Sequence, residues 1–367
     1  MSKQSYAAVC LLIGCASSAP TVFEKDSAAA ERAYSSGRYH EAAAHWHDAA
    51  AAAPKKSAAR KALQHEAESH QRAGDWQSAR AVLLDLSTGS DGIAARASYD
   101  LALLELQQGN PEAAQQRLRQ LITRYTSAPI AGIALKHYLE LIEQYSGAQE
   151  HSDAQAALDE IERLQPTLQN TKLDEQLSYE SATRLLALGQ NIAALTAFLS
   201  MTERHPYPKG AYWDDGLWHA ALIEEQAGHP QRAIEHLRRM LKSQETSDFV
   251  GSYERPRYAQ AQFHIAELYR DALHDPQMAL KEFEHVWKAH PKSRLVDDAL
   301  WQSALLKRAL NDNAGVCAVM ATLQKTVPQS RYVPCAPLLC SALRSDPKAD
   351  PKAPACAPYI IETISTN

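Results

Sequence analysis

Between Cys15 and Cys317 the 367-residue chain contains no cysteine, and its 14 glycines are spread thinly. No Cys-x-x-Cys pair appears anywhere, nor does a Gly-rich phosphate loop or a strand-borne nucleophile elbow. Also missing is any run approaching the ~20 apolar residues of a membrane-spanning helix. The alternation of β-branched with polar residues that marks strands is absent as well, while alanine, the best helix former, is abundant. The formal net charge is −5 with both signs interspersed. Such a chain is not built to neutralise phosphates, so nucleic acid is not an expected partner.

What the chain does contain is one pattern written many times. It is clearest from Leu177 to Pro206, where two helical runs hinge at Gly189. Ala182 is the small residue of the first run, Ala194 and Phe198 form the stripe of the second, and Pro206 ends it. Small and large residues alternate because two antiparallel helices approach closely only where one side presents little bulk. The same grammar reads Ala30, Gly37, Tyr39, Ala42, Trp46, Ala49, Pro54; then Ala67, Gly74, Trp76, Ala79, Leu83, Leu86; then Ala102, Gly109, Ala114, Leu118, Leu121; then Ala221, Gly228, Ala233, Leu237, Met240. Two looser copies come next: Ala266, Tyr269, Ala279, Phe283, Pro291, and Ala304, Val316, Met320, Leu323, Pro328. Between Pro129 and Pro166 the helical period persists, but a longer polar stretch around Gly147 to Ser152 replaces the glycine turn.

A repeat of roughly 34 to 40 residues with this grammar resembles the tetratricopeptide repeat. The resemblance runs from about Asp26 to Pro328. It implies an all-α fold, a right-handed superhelical solenoid of antiparallel helix pairs. In such an array each pair buries its apolar face against its neighbours, with no single central core.

The first twenty residues carry a short, specific signal. Lys3 supplies a positive region and Tyr6 to Ile13 an apolar one, with Leu12-Ile13-Gly14-Cys15 at its end. This resembles a bacterial lipobox, which implies that Cys15 is lipidated and the preceding peptide removed. An ordinary secretory signal is the other reading, but its nearest cleavage site, Ser17-Ser18-Ala19, is followed by the unfavourable Pro20. Ala16, where an Asp would imply inner-membrane retention, implies the outer membrane. The expected layout is a signal peptide at 1–14, a lipidated Cys and polar tether at 15–27, the repeat array at 28–328, and a disulfide-stabilised capping helix with a Pro-rich tail at 329–367.

Two insertions, His205 to Gly210 and Ser247 to Pro256, exceed what a repeat turn needs. They read either as contact loops or as spacers. The phrases His290-Pro291-Lys292-Ser293-Arg294 and Val327-Pro328-Gln329-Ser330-Arg331 match each other, with a helix stopping before Pro and a Ser placed to cap the next. They resemble the Pro-x-Ser junction of a group of bacterial periplasmic repeat proteins. That group includes the repeat lipoprotein of the β-barrel assembly machine and the coordinator associated with the Tol–Pal system.

Three residues before the small alanine of the first helix stand Tyr99, Tyr179, Trp218, Phe263 and Trp301, with Tyr138 a further candidate. Rigid aromatic side chains repeating along one groove suit the docking of a peptide. The same rings equally suit packing between successive repeats. Arg270, Arg308, Asp215 and Asp298 are the polar candidates on that side.

Catalytic and metal motifs fail on geometry. His65 and His70 bracket Glu66, but five residues apart on a helix they diverge by about 140°, so the zinc-peptidase pattern is broken. His45 and His47 point apart for the same reason, and the Asp214-Asp215 and Asp297-Asp298 pairs are explained by helix N-termini. No cofactor or metal is expected.

Cys10 belongs to the leader, and the remaining Cys317, Cys335, Cys340 and Cys356 cluster at the C-terminal end. In an exported protein an even number implies bridges, with three possible connectivities. If the chain folds back through Pro328, Cys317 and Cys340 are equidistant from the turn. They would pair, leaving Cys335 with Cys356. A zinc site is the rival reading.

The functional expectation is a non-enzymatic, lipid-anchored periplasmic scaffold, a monomer within a larger complex, that docks another cell-envelope protein through its repeat groove. The alternatives are a small-ligand or peptide-binding component of a transport system and, more remotely, an enzyme.

Overall fold

The computed structural model describes residues 20–145, 152–243, 256–343 and Cys356. The signal peptide, Cys15, the stretch at 146–151, most of the 247–256 insertion and most of the C-terminal tail lie outside the described residues. The described chain is helical throughout with no strand. It divides into two compact units between Asp174 and Glu175.

The first unit runs α1 (Val22–Ser35), α2 (Tyr39–Ala51), α3 (Lys56–Ala73), α4 (Trp76–Ser87), α5 (Gly92–Gln107), α6 (Pro111–Arg124), α7 (Pro129–Tyr145) and α8 (Ser152–Leu168). Each helix packs mainly on its successor, and the first helices α3, α5 and α7 also touch one another. Helices therefore pair in sequence order, and first helices share a face. The second unit repeats the plan with α9 (Asp174–Ala187), α10 (Asn191–Arg204), α11 (Trp213–Gln226), α12 (Pro230–Leu241), α13 (Pro256–Glu267), α14 (Pro276–Ala289), α15 (Val296–Ala309) and α16 (Asn313–Thr326), ending in the short α17 (Ala336–Leu339).

The residues that define the repeat are the ones that vanish from the surface. Ala30, Ala102, Ala182, Ala221, Ala266 and Ala304 are 0% exposed on the first helices, as are Ala42, Ala79, Ala114, Ala194, Ala233 and Ala279 on the second. Between them sit Leu83, Leu118, Phe198, Leu237, Phe283 and Met320, all buried. Pro111, Pro230 and Pro276 open their helices, where a missing N–H breaks no hydrogen bond.

Each clear repeat turns the same way. Gly37, Gly74, Gly109, Gly189 and Gly228 adopt φ of 71 to 78°, and the next residue's N–H reaches a carbonyl five residues back, as Arg38 does to Ala33 and His229 to Glu224. This is the Schellman ending of a helix. The looser copies keep the turn without glycine: Asn311 (φ 59°) and His274 (φ 51°) take the left-handed position. In the His274 copy the helix carries one extra residue, absorbed by a π-helical turn at Leu268–Ala272, and Asp275 N–H reaches back six residues to Tyr269. Insertion of a single residue into a helix characteristically produces such a bulge.

Buried glutamates tie the helices together within each unit. Glu105 receives Arg80 (2.8 Å) and Arg117 (3.4 Å); Glu160 receives Arg163 (2.8 Å), Arg119 (3.2 Å) and the Tyr138 hydroxyl (2.8 Å); Glu282 receives Arg238 (3.0 Å) and Gln262. A carboxylate withdrawn from water persists only with such partners.

Two expectations are corrected. The tether does not extend to residue 27: Thr21 and Glu24 form a capping box and α1 begins at Val22. Thr-x-x-Glu is the signature of that box. Ser293 and Ser330 do not cap helices; each accepts the N–H two residues on, from Leu295 and Tyr332. Pro166 lies inside α8. The 205–210 insertion is anchored at its end, where Glu175 accepts the Ala211 and Tyr212 N–H groups (2.9 and 2.7 Å).

At the C-terminal end Cys317 on α16 is bonded to Cys340, and Cys335 to Cys356, with Cα–Cα separations of 5.1 and 5.6 Å. These are the pairs reached from the fold-back at Pro328. Cys335, Ala336 and Tyr332 join Trp301, Val316, Met320 and Leu323 in one core. The cap thus covers the face of the α15–α16 pair.

Two measurements check this account. A Cβ at Gly228 meets nothing within 4 Å, so Gly228→Ala tests backbone conformation alone and should destabilise by about 1–2 kcal/mol in urea unfolding. Replacing Cys335 and Cys356 together by Ser should lower the stability of the C-terminal cap by roughly 2–4 kcal/mol, and reductant, which opens both bridges, should lower wild-type stability by at least as much.

Candidate functional site

In the second unit the aromatic series runs along the first helices, and each ring is covered by an element later in the chain. Tyr179 stacks on Tyr212 (centroids 4.6 Å apart) and approaches His219 through its hydroxyl (3.3 Å). Trp218 meets the guanidinium of Arg257 (5.6 Å) and the His264 ring (5.7 Å). Phe263 turns edge-on to Phe283 of its own partner helix (5.1 Å). Trp301 is 1% exposed beneath a parallel Tyr332 ring at 4.8 Å. The docking role expected of Trp301 is therefore excluded by burial: the segment after α16 occupies the place a partner would need.

Polar groups accompany the rings. Arg257 pairs with Asp215, and Asp298 accepts Arg331 and the Tyr332 hydroxyl (2.8 and 2.7 Å). Arg270, in the π-helical turn, bonds Asp271 and reaches Gln302 on the next first helix (2.7 Å), lying over the Phe283 ring. Arg308 is exposed. Arg270 and Asp298 thus serve contacts between neighbouring elements, whereas Arg308 faces solvent.

The first unit shows the same row at Tyr99, which is 6% exposed, stacks on His137 and bonds its Nδ1 (2.7 Å). Burial leaves Tyr99 no docking role either. Tyr138 does not belong to the series: it turns inward to Glu160, and burial together with that carboxylate raises its pKa. Beside this row, the starts of α5 and α7 and Gln64 of α3 enclose an open groove of about 630 Å³. Ile93, Pro129, Ile130 and Ile133 make it apolar, Arg96 and Asp91 edge it, and Ile133 is 51% exposed. Neither this groove nor the histidines His137, His219 and His264 are among the candidates read from sequence. A signal existed for both: each histidine adjoins an aromatic in sequence, and α7 is apolar on more faces than a packed helix needs.

Two of these histidines are tuned in opposite directions. Burial depresses the pKa of His219, and the nearby Arg257 adds to the effect. Burial works the same way on His264, but Glu267 (3.2 Å) and Glu225 (2.8 Å) outweigh it, so its pKa is raised. A raised folded-state value means that His264 stabilises the second unit below the ordinary histidine pKa, a contribution lost as pH rises through the elevated value. Histidine NMR titration should place His264 above and His219 below the reference of about 6.5. Glu225→Gln combined with Glu267→Gln should bring His264 below it and leave His219 in place.

Among the described residues no group of three or more His, Cys, Asp or Glu is arranged to hold a metal ion, and no helix is long and apolar enough to cross a membrane. The arrangement offers surfaces for contact.

Residues 96–127, spanning α5, α6 and their turn, match the tetratricopeptide repeat family model. None of the curated proteins matches the chain. Among solved structures it is similar to the C-terminal part of a tetratricopeptide-repeat protein from Cytophaga hutchinsonii (12% identity, 74% of this chain and 97% of that one, TM-score 0.44). It is also similar to Pseudomonas aeruginosa pilF (16% identity, 65% and 93%, TM-score 0.38) and to the TPR2AB domain of yeast Sti1, solved as a complex with pHSP90 (13% identity, 77% and 96%, TM-score 0.29). Repeats of this family generally mediate protein–protein contacts. The family match covers residues 96–127, and the described helices before and after it follow the same helix-pair plan.

Proposed function

We propose that the chain is a non-enzymatic scaffold whose first-helix face docks another protein of the cell envelope, acting as a monomer within a larger complex. The observation that carries this reading is the open apolar groove of about 630 Å³ in the first unit, with Ile133 51% exposed at its edge. An apolar cleft rimmed by a few charged groups suits an apolar anchor from a partner. The anchor to the membrane is lipidated Cys15, which holds the protein at the periplasmic face of the outer membrane. The Leu12-to-Cys15 pattern and Ala16 support that placement. The two disulfides suit an oxidising compartment. Outer-membrane assembly and coordination of envelope machinery are the tasks most consistent with the Pro-x-Ser junctions.

Affinity purification from membranes tests both halves. Ile133→Asp should lose an envelope protein that the wild type retains. Ile192→Asp, at a site 85% exposed on the second helix α10, should keep it. Cys15→Ser should move the protein from the membrane to the soluble fraction. Equal recovery of partners by the Ile133 and Ile192 variants would refute the groove, and unchanged membrane association of the Cys15 variant would refute the anchor.

A further inference from the structure

Away from the first-helix face, the first unit holds a second cavity of about 340 Å³ between the end of α4, the start of α5 and the length of α6. Its walls are Ser87, Ser98, Gln120, Thr123 and Tyr125, its floor is the buried Leu121, and Arg117 and Arg124 stand over it two turns apart on one face of α6. No lining residue is acidic. Arg117 touches the buried Glu105 at 3.4 Å, but Arg80 holds that carboxylate more closely, at 2.8 Å. Arg124 donates to the Gly89 carbonyl (3.2 Å) and lies beside the Tyr125 ring (5.1 Å), and neither contact among the described residues carries a negative charge.

The repeats themselves show why there is space here. Ser98 stands four residues before the small Ala102; at the same place other repeats carry Leu63, Leu217 and Leu300, and the last two are 0% exposed. One other repeat has Ser there, Ser178. In that repeat Arg204, which stands ten residues after Ala194 as Arg124 does after Ala114, donates directly to the Ser178 hydroxyl at 2.7 Å. The same Ser and Arg pair is thus closed in the second unit. In the first it is opened into a pocket with a second arginine, Arg117, added at its mouth.

We propose that this pocket binds a compact oxyanion, a phosphate or carboxylate group carried by a small soluble molecule. Two guanidinium groups can hold such a group by charge-assisted, paired hydrogen bonds, with the Gln120 amide as a further donor. The serine hydroxyls already donate to helix carbonyls, Ser98 to Ala94 and Ser87 to Leu84 (both 2.8 Å). Their role is to leave room and line the wall with polar oxygen. The site shares no lining residue with the groove proposed to dock a protein partner, and it stands or falls independently of that function.

Titration calorimetry with inorganic phosphate and with succinate, at low chloride, tests it. The wild type should bind at least one of the two saturably at one site. Arg124→Ala, a change at an exposed side chain, should weaken binding about tenfold, the loss of one charge-assisted contact. Ser98→Leu introduces the residue that three other repeats carry at this place (Leu63, Leu217 and Leu300), so it should fill the pocket and abolish binding while leaving helical circular dichroism and thermal stability equal to or above wild type. Absence of saturable binding of both anions to the wild type would overturn the proposal. So would binding that survives Ser98→Leu unchanged.

Discussion

Everything in this molecule depends on how closely two helices can lie. In most repeats the first-helix alanine and the second-helix alanine are buried against their neighbours, and residues this small let the axes approach to the spacing at which the flanking Leu, Phe and Met side chains interlock. Each pair then has one face to bury and finds it on the next pair. Stacking is a consequence of that contact, and so is the need for a cap where the stack ends. Over α15 and α16 the two disulfides hold a short segment, adding covalent constraint to the packing.

The same contact explains why most of the aromatic row is not a binding surface. A large ring three residues before the small alanine points at the next repeat, and whatever stands there covers it: His137 on Tyr99, Tyr212 on Tyr179, Tyr332 on Trp301. What remains for ligands are places where the packing rule is relaxed. At the starts of α5 and α7 isoleucines face outward, and at Ser98 a leucine-sized space is left unfilled. Both openings lie in the first unit, one apolar and one cationic, and they suit different ligands.

Charge is handled in the same local manner. Glu160 and Glu282 are each met by arginine, Glu160 also by a tyrosine, and His264 is held between two carboxylates. Such groups contribute to specificity of pairing between particular helices as much as to stability, since a misplaced neighbour would strand a buried charge. The looser copies show how much the plan tolerates. A π-helical turn absorbs an extra residue before His274, and Asn311 takes a glycine's conformation, yet Phe283 and Met320 reach their places.

The helix class, the pairing of helices, the turns at Gly37, Gly74, Gly109, Gly189 and Gly228, and the positions of the buried stripe were all legible in the sequence. They rest on interactions within about forty residues, and local spacing encodes them directly. The cysteine pairing was within reach for the same reason, the fold-back being local. The capping box at Thr21 is equally local, but its Thr-x-x-Glu signature lies inside the stretch that the leader pattern marks as tether. Tertiary structure alone decided which rings are covered, that Tyr138 turns inward while His137 takes the place beside Tyr99, and where cavities open. Those outcomes depend on what the next repeat or the cap places opposite a side chain. Residue spacing states which face a side chain occupies, but exposure is a property of both surfaces that meet there.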